Sequence, residues 1–340
     1  MGSVSLPTGR WVLDSAQEGI SSLRYEPDAT FTANQGNPSS AIPLPATPDV
    51  ILGSDGAGVV VAVGSDVPKS SQWLQPGVKV MTHMIPHVAD NTLPGFEDVA
   101  SGLGQKLNGT LGRQAILHHS ALVPMPSHMS FEEAATLTCS GLTAWNALMG
   151  MPGREVKKGD WVLTQGTGGV SVAALQIAVA AGATVVAITS SDEKADRLLS
   201  LGARHVINYK KHSNWGELAR GLTPEKRGID HVVDVVGPTT MAESLRALRL
   251  NGLLTVTGMI GGLGGGEQVP DLMSALWNLC IVRGIYLGSR SMFWDMVRFL
   301  EQKGIRPALD DVAFSLEEAK SAFERLERQE HFSKIVIKMS

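Results

Sequence analysis

The sequence predicts an α/β protein in which a doubly wound parallel sheet is joined to a β-rich region. From Asp160 onwards, short apolar segments typical of strands alternate with helix-forming segments, which is the pattern of a parallel sheet covered by helices on both faces. Before residue 130 the apolar segments are instead separated by Gly, Pro and Asn, as in regions built mainly from strands. The length of 340 residues suits two domains with sizeable cores.

The β-rich region is predicted to hold several short strands followed by a helix. Its apolar segments are residues 11–13, 58–63, 78–81 and 115–123. Ser130 and Glu133 have the spacing of a capping box, in which each side chain bonds the backbone of the other residue, and they predict a helix through Leu148.

The parallel sheet is predicted to have six strands, after which the chain returns to the first region. The predicted strands are residues 161–164, 184–188, 205–207, 231–236, 253–258 and 281–286. Ser315 and Glu318 cap a last helix, and Lys334–Lys338 is a closing strand. The predicted domains are residues 1–132 with 290–340, and residues 133–289.

A glycine-rich turn after the first strand of the sheet indicates a dinucleotide site. The hexapeptide GTGGVS at residues 166–171 lies between an apolar strand and a predicted helix at 172–181, and a second strand follows. Glycines allow a tight turn and let backbone N–H groups approach a pyrophosphate at the helix N-terminus. An ordinary strand–helix–strand turn without a ligand is the alternative. The predicted cofactor-binding residues of this turn are Gly166, Gly168, Gly169 and Val170.

The end of the second strand favours NADPH over NADH. NADH sites place an Asp or Glu about 20 residues after the first glycine, whereas this strand ends in Thr-Ser-Ser at 189–191. Asp192 and Glu193 are predicted to lie in the first turn of a helix, with Ser190 and Glu193 as a capping box. Lys194 lies one turn into this predicted helix. Small hydroxyl groups together with a lysine can bind the 2′-phosphate of NADPH through charge-assisted hydrogen bonds. The alternatives are NADH as the cofactor and a merely solvated Lys194.

Composition argues against several classes of partner. A net charge of −4 with scattered basic residues gives no reason to expect nucleic acid or an anionic membrane. No apolar run reaches the ~18 residues that a membrane span requires, and the N-terminus has no secretory signal pattern. The two cysteines, Cys139 and Cys280, are predicted to be buried thiols in a reducing compartment. We expect a cytoplasmic protein that acts on a small-molecule substrate.

Several motifs resemble those of the medium-chain dehydrogenase/reductase superfamily. They are GSDGAG at 53–58, PGVKV at 76–80, the segment 135–145, the glycine turn, and LGARHVINY at 201–209. The resemblance covers nearly the whole chain from Val50. It is strongest to the zinc-free branch of quinone and enone reductases, in the form of the fungal proteins called zinc-type alcohol dehydrogenase-like.

This resemblance implies a GroES-like substrate domain, a Rossmann domain and a cleft between them. It implies that Ser190, Lys194 and Tyr209 hold the 2′-phosphate of NADPH, although Tyr209 could also be an edge aromatic that follows a strand. It further implies that Thr143 approaches the nicotinamide carboxamide, and that the backbone near Gly258 and Met259 lines the nicotinamide ring.

The resemblance also implies a homodimer formed through the edge of the Rossmann sheet. The apolar segment 280–287 is predicted to supply this edge, together with Met292, Phe293 and Trp294. The alternative is that these residues belong to an ordinary core.

No metal site is predicted. Zinc-dependent relatives use a Cys and a His–Glu pair for the catalytic zinc and four clustered cysteines for a structural zinc, but this chain has only two cysteines. It carries Gly-Ser-Asp at 53–55 where the zinc enzymes have Gly-His-Glu. A proline separates His83 from His87, and His118 and His119 are predicted to point to opposite faces of a strand.

The region before Gly53 departs from the family pattern. Relatives carry there a strand and a loop with an Asn-Tyr-Arg-Asp-like motif, whose tyrosine or asparagine orients the substrate or donates a proton. Residues 31–42, FTANQGNPSSAI, contain neither an apolar strand pattern nor a tyrosine. The GroES-like domain is therefore predicted to be shortened. A natural variant, a degenerate paralogue and a faulty gene model are the open explanations.

The predicted function is a zinc-independent, NADPH-dependent oxidoreductase that transfers hydride to an enone, quinone or carbonyl, and a role in fungal secondary metabolism is compatible with it. Negative charge then develops on the substrate oxygen and needs a donor. The candidates are Thr143, Ser54 and His83, or solvent in the case of an enone, whereas Asp55 is expected to bond backbone in its turn. The alternatives are an NADP-linked alcohol or aldehyde dehydrogenase and a non-catalytic NADPH-binding protein.

Overall fold

The structure, a computed structural model, describes residues 10–13, 23–26, 50–262 and 269–339. The predicted short segment at 31–48 therefore lies outside the described residues. The strands are β1 (Arg10–Leu13), β2 (Leu23–Glu26), β3 (Ala57–Val59), β4 (Lys79–Thr82), β5 (Leu122–Pro124), β6 (Trp161–Gln165), β7 (Thr184–Thr189), β8 (His205–Asn208), β9 (Ile229–Asp234), β10 (Leu248–Val256), β11 (Ile281–Gly284), β12 (Leu309–Ser315) and β13 (Lys334–Lys338). The helices are α1 (Phe96–Ala100), α2 (Phe131–Ala135), α3 (Leu142–Met149), α4 (Gly169–Ala180), α5 (Asp192–Ser200), α6 (Trp215–Leu222), α7 (Met241–Ala247), α8 (Ser274–Trp277), α9 (Arg290–Lys303) and α10 (Ala319–Glu327).

The chain divides into two compact units. The first unit comprises Met1–Cys139, Ser289–Glu301 and Leu309–Ser340, and the second comprises Ser140–Gly288 and Gln302–Ala308. The domain ranges given by the sequence stay a prediction.

The second unit contains a six-stranded parallel sheet in the order β11-β10-β9-β6-β7-β8. From β6 the chain adds β7 and β8 on one side of this strand, and it then crosses back to add β9, β10 and β11 on the other side. Strands β6 and β9 are therefore neighbours although they are far apart in sequence. Ligands of doubly wound sheets bind outside the carboxyl ends of the strands at such a reversal. The six predicted strands are confirmed, and the reversal of the sheet lies between β6 and β9.

Strands β9 and β10 begin and end earlier than predicted, and β11 begins at the predicted residue but ends two residues earlier. β9 ends at Asp234 because that carboxylate accepts the backbone N–H groups of Val236 and Gly237 and turns the chain. β10 begins at Leu248 and is irregular before Leu253, where the left-handed backbone of Asn251 interrupts the pairing. The Asp234 side chain bonds the backbone that directly follows it, and such a bond competes with the hydrogen bonds between strands.

Helix α4 packs as a core helix behind the glycine turn. Its residues Val172, Ala174, Leu175, Ile177 and Ala178 are all buried, as expected for a helix that is apolar on every side. It begins at Gly169, three residues before the predicted start, because Gly168 already has the extended backbone of a cap. The turn therefore passes directly into the helix.

The cap of α5 lies one residue later than predicted. Ser191, and not Ser190, precedes the helix, and its hydroxyl accepts the backbone N–H of Lys194 at 3.3 Å. The predicted capping box of Ser190 with Glu193 is therefore wrong. Since Ser190 has no part in the cap and is exposed, its side chain is available to a ligand.

The first unit is built from small sheets around a buried segment. β3, β4 and β5 form an antiparallel sheet, β12 pairs with β13, and β1 pairs with β2. The segment Val50, Ile51 and Leu52 is fully buried against Leu316 and Ala319, so both ends of the sequence contribute to one core. Strands β3 and β5 are both shorter than predicted. β5 begins only at Leu122 because residues 119–121 form a 3₁₀ turn.

The predicted helix from Phe131 to Leu148 is interrupted. Its capping box is confirmed, because the Ser130 hydroxyl accepts the N–H of Glu133 and the Glu133 carboxylate accepts the N–H of Ser130. However, a π-helical turn at Leu137–Gly141 separates α2 from α3. A hydroxyl group that bonds a backbone carbonyl in the preceding turn disturbs a helix, and directly before the π-helical turn the Thr136 hydroxyl donates to the carbonyl of Glu133 at 2.8 Å.

The two adjacent histidines do not point to opposite faces of a strand. The ring centroids of His118 and His119 lie 4.3 Å apart, because the chain enters a 3₁₀ turn at this point. Within the described part of the chain, no helix is long and apolar enough to cross a membrane.

Candidate functional site

The glycine turn leaves its backbone open to a ligand. Gly166 has a φ of +79°, and a Cβ atom placed on either Gly166 or Gly168 would meet no atom within 4 Å. Open space on this side of the turn is what the close approach of a pyrophosphate requires. The Ser171 hydroxyl donates to the carbonyl of Gln165 at 2.5 Å and so joins the two ends of the turn.

The N-terminus of α4 is suited to an anion. Its cap, Gly168, offers no side chain to the first backbone N–H groups, and the first turn contains no carboxylate. Helix α5 differs on both points, since Ser191 caps it and Asp192 and Glu193 lie in its first turn. Unsatisfied N–H groups and the positive end of the helix dipole together attract a phosphate. The start of α4 thus leaves the backbone N–H groups of its first turn without a side-chain cap or a nearby carboxylate.

The residues predicted to hold a 2′-phosphate come together at the ends of two neighbouring strands. Thr189 of β7 pairs with Asn208 of β8, and the N–H of Tyr209 donates to the carbonyl of Thr189 at 3.0 Å. Ser190 therefore follows one strand where Tyr209 follows the next, and both are exposed. Lys194 lies one turn into α5 from the same strand end.

Asp192, in the first turn of α5, is already engaged by neighbouring side chains. Asp192 bonds the Lys211 ammonium and accepts from Asn208 Nδ2 at 2.8 Å. Hydrogen bonds from Lys211, and then from Asn208, lower the pKa of Asp192. A carboxylate that is already paired with a lysine repels a phosphate less than a free one would.

The residues predicted to lie near the nicotinamide belong to the second unit. Thr143 is buried on α3, and its hydroxyl donates to the carbonyl of Tyr286 at 3.1 Å. Gly258 and Met259 follow β10. A Cβ atom on Gly258 would lie only 2.7 Å from the carbonyl oxygen of Val235, so only glycine allows these two loops to pack so closely.

Asp55 does not bond the backbone of its own turn, contrary to the prediction. Its carboxylate accepts from the Ser54 hydroxyl and from Lys334 Nζ, both at 2.8 Å. Burial lowers the pKa of Lys334, but the Asp55 carboxylate and Cys139 together outweigh it, so the pKa of the lysine is raised. Ser54, Asp55 and Lys334 therefore form one charged cluster in the first unit.

The remaining residues with a role predicted from the sequence are His83 and the two cysteines. His83 is buried, with Nδ1 3.0 Å from the carbonyl oxygen of Ile85. Cys139 and Cys280 are half-buried, and not fully buried as predicted, and neither forms a disulfide. Among the described residues there is no group of three or more His, Cys, Asp or Glu side chains placed to hold a metal ion.

Sequence reasoning overlooked Asp234 and Lys334. Asp234 stands in an apolar strand, HVVDVVG, directly before a turn with glycine, and a carboxylate in such a run signals a buried hydrogen-bonded network. Lys334 opens an alternating strand, KIVIK. That alternation suggests a solvated lysine, so no sequence signal indicated its pairing with Asp55.

Comparison with known proteins decides the family. Residues 169–302 match the family model of zinc-binding dehydrogenases, and residues 27–127 match that of the alcohol dehydrogenase GroES-like domain. A zinc-type alcohol dehydrogenase-like protein of Schizosaccharomyces pombe is 40% identical over 298 residues, which cover 87% of this chain and 84% of that protein. The chain belongs to the medium-chain dehydrogenase/reductase superfamily. As a superfamily member it is an oxidoreductase with a GroES-like and a Rossmann-like domain.

Other superfamily members extend the comparison. Crotonyl-CoA reductase of Streptomyces avermitilis is 28% identical over 336 residues, covering 92% of this chain and 73% of that protein. A solved Sinorhizobium meliloti structure described as an alcohol dehydrogenase aligns with a TM-score of 0.85 at 30% identity, covering 99% of this chain and 100% of that one. The crotonyl-CoA carboxylase/reductase AntE in complex with NADP shares the fold, with a TM-score of 0.77 at 22% identity over 98% of this chain and 94% of that one.

Proposed function

We propose that this protein is a zinc-independent, NADPH-dependent reductase that transfers a hydride to an enone, quinone or related carbonyl substrate. The uncapped start of α4, reached through the open turn at Gly166 and Gly168, is the observation that carries the proposal. Gly166, Gly168, Gly169 and Val170 would hold the pyrophosphate with backbone N–H groups. When bound there, NADPH supplies the hydride.

The preference for NADPH over NADH rests on the ends of β7 and β8. Ser190, Lys194 and Tyr209 would bind the 2′-phosphate with two hydroxyls and an ammonium, which form charge-assisted hydrogen bonds. No carboxylate ends β7, and Asp192 is engaged by Lys211. The NADP complex of AntE accords with this choice for a protein of the same fold.

The hydrogen bonds of the candidate donors favour an enone or a quinone as substrate. Thr143 donates to Tyr286, Ser54 donates to Asp55, and His83 contacts the carbonyl of Ile85. A saturated carbonyl would place full charge on its oxygen and need a strong donor. The carbanion formed from an enone is delocalised, and solvent can protonate it. One relative is named crotonyl-CoA reductase, and crotonyl-CoA contains a double bond conjugated to a thioester carbonyl.

The residues at the position of the family's zinc ligands do not fit a zinc site. Ser54 and Asp55 stand where the zinc enzymes have His and Glu, and both oxygens of Asp55 are engaged by Ser54 and Lys334. The lysine already balances the charge of this carboxylate. A hydroxyl is a poor ligand for zinc compared with imidazole or thiolate.

Two other functions have a specific observation in their favour. An NADP-linked alcohol or aldehyde dehydrogenase agrees with the description of the Sinorhizobium meliloti structure. A non-catalytic NADPH-binding protein agrees with residues 31–42, which lack the family's tyrosine motif. Neither alternative changes the proposed cofactor site.

The test is NADPH consumption by the purified protein with quinones, enones, aldehydes and ketones as acceptors. We expect turnover with an enone or quinone, and we expect the rate to be unchanged after dialysis against a zinc chelator. Oxidation of an alcohol by NADP⁺ without any enone or quinone reduction would favour the dehydrogenase. NADPH binding without turnover on any acceptor would favour the non-catalytic protein, and loss of activity with the chelator would overturn zinc independence.

We also propose that the protein forms a homodimer through the β11 edge of its sheet. Among the described residues, β11 pairs only with β10, so its outer edge can pair with the same edge of a second copy about a two-fold axis. The predicted contribution of Phe293 is wrong, because this residue is fully buried in the first unit. The exposed apolar residues near the edge are Leu272, Met273, Leu276, Trp277, Leu279 and Val282.

A charge placed on this surface is expected to separate the two copies. Trp277 is 75% exposed, and Trp277→Asp would put an unpaired carboxylate into an apolar interface. We expect sedimentation analysis to give a dimer for the wild type and mainly monomer for Trp277→Asp. Ile116 is 88% exposed but lies in the first unit, so Ile116→Asp should leave the dimer intact. Monomeric wild-type protein would contradict the proposal.

A further inference from the structure

Asp234 is a fully buried carboxylate at the carboxyl end of β9. Its Oδ1 accepts the backbone N–H groups of Val236 at 3.0 Å and Gly237 at 2.8 Å. Its Oδ2 accepts from the Ser244 hydroxyl at 2.7 Å and from Gln165 Nε2 at 3.2 Å. The hydroxyl of Thr240 lies 3.3 Å from both oxygens. A buried charge is tolerated only when it is this fully hydrogen-bonded.

This carboxylate joins the end of β9 to the start of the glycine turn. Gln165 is the last residue of β6 and directly precedes Gly166. Its amide also donates to the Ser244 hydroxyl at 2.7 Å, so Gln165, Ser244 and Asp234 form a closed triangle. The two strands that flank the reversal of the sheet are therefore tied together by side chains as well as by the ladder.

Asp234 shapes the turn after β9, and this turn holds the loop that follows β10. The N–H of Thr257 donates to the carbonyl of Asp234 at 2.8 Å, and that of Gly261 donates to the carbonyl of Val236 at 3.0 Å. Gly237 has a φ of +90°, and a Cβ atom on it would lie 3.0 Å from the carbonyl oxygen of Gly258. Any shift of this turn would therefore move Gly258 and Met259.

We propose that Asp234 is a positioning residue that sets the nicotinamide half of the cofactor site. The inference rests on the proposed function. A dinucleotide lies across the reversal of a doubly wound sheet, with one mononucleotide on each side. Since Ser190 and Tyr209 follow β7 and β8, the nicotinamide half lies over the ends of β9 and β10. Asp234 fixes those ends without touching the cofactor itself.

Charge strengthens this role, because the backbone N–H groups of Val236 and Gly237 are fixed donors and form stronger hydrogen bonds with a carboxylate than with a neutral amide. Asparagine has nearly the same shape but no charge, so these bonds weaken. The Gln165 amide and the Ser244 hydroxyl must also reorient to meet its NH₂ group. Asp234→Asn should therefore displace the turn while leaving the glycine turn and the β7 end in place.

The experiment compares the whole cofactor with its adenosine half. Binding of NADPH and of adenosine 2′,5′-bisphosphate is measured by calorimetry for the wild type and for Asp234→Asn. We expect the Kd for NADPH to rise about tenfold, which corresponds to the loss of roughly one hydrogen bond between the displaced backbone and the cofactor. The Kd for the bisphosphate should change less than about twofold, because its site lies on the other side of the sheet.

Asp230→Asn is the matched control on the same strand. Asp230 is also buried, but it lies at the opposite end of β9 and pairs with Arg227 and Arg249. This variant should lower the melting temperature and leave both dissociation constants unchanged. Ser244→Ala removes one donor from the cluster and should shift NADPH binding in the same direction by a smaller factor, so the test survives if Asp234→Asn does not fold.

The outcomes separate this inference from the proposed function. Equal changes in the two affinities, or no change in either, would overturn the positioning role while the cofactor site itself stands. Failure of the wild type to bind either ligand would overturn both the site and the role.

Discussion

Replacing Lys194 with alanine is expected to weaken NADPH binding by roughly tenfold to a hundredfold, which corresponds to ~1.5–3 kcal/mol for a hydrogen bond to a charged group. The ammonium of Lys194 is proposed to bind the 2′-phosphate beside Ser190 and Tyr209. NADH has a hydroxyl at this position, so its affinity should change less than about twofold. Titration of both cofactors by fluorescence or calorimetry measures the two effects in one preparation.

A second lysine provides the control. Lys226 is exposed in the turn that precedes β9, at the amino ends of the parallel strands, and Lys226→Ala removes the same charge. We expect this variant to bind both cofactors as the wild type does. Equal weakening of NADPH and NADH by Lys194→Ala would contradict the assignment of the 2′-phosphate to this lysine.

A large loss of stability is expected from Gly216→Ala. Gly216 lies in α6, where α6 packs against α7, and a Cβ atom would fall 2.1 Å from the carbonyl oxygen of Glu243. The N–H of Gly216 also donates to the carboxylate of Glu243 at 2.8 Å. The two helices must move apart to accept the methyl group. We expect the free energy of unfolding to fall by on the order of 3 kcal/mol.

Gly221→Ala in the same helix is a control that is expected to change the free energy of unfolding in the opposite direction. It is exposed, and a Cβ atom there would meet nothing within 4 Å. Alanine is the better helix former, so Gly221→Ala should stabilise the protein by about 0.5–1 kcal/mol. Scanning calorimetry of both variants gives the comparison. Melting temperatures that shift together would show that helix propensity, and not the contact with Glu243, decides the outcome at position 216.

Local patterns were sufficient to predict the sheet. The apolar run of β6 followed by GTGGVS fixes a strand, a turn and a helix because each step has its own requirement for side-chain periodicity or backbone freedom. The capping box of Ser130 and Glu133 was equally local. The prediction failed where hydroxyls compete for the backbone, as at Ser191 and in the π-helical turn before α3.

Long-range pairing limits what the sequence can predict of the site. Asp55 was expected to bond its own turn, since nothing near residue 55 indicates a lysine 279 positions away. Asp234 has partners on β6 and α7 that only the folded sheet brings together. The residues that follow one another in sequence, Gly166 to Val170, could be proposed at once. Residues that are distant in sequence and meet only in the folded sheet could be assigned only from the structure.

The shared core of residues 50–52 with Leu316 and Ala319 has a consequence for the order of events during synthesis. The ribosome releases the chain from its N-terminus, and the last residues of the second unit, Gln302–Ala308, emerge before β12 and β13. The Rossmann-like unit can therefore complete its core first, although the other unit begins earlier in the chain. Until Leu316 and Ala319 emerge, the apolar segment at 50–52 lacks part of its cover, which is the kind of exposed surface that nascent-chain chaperones bind.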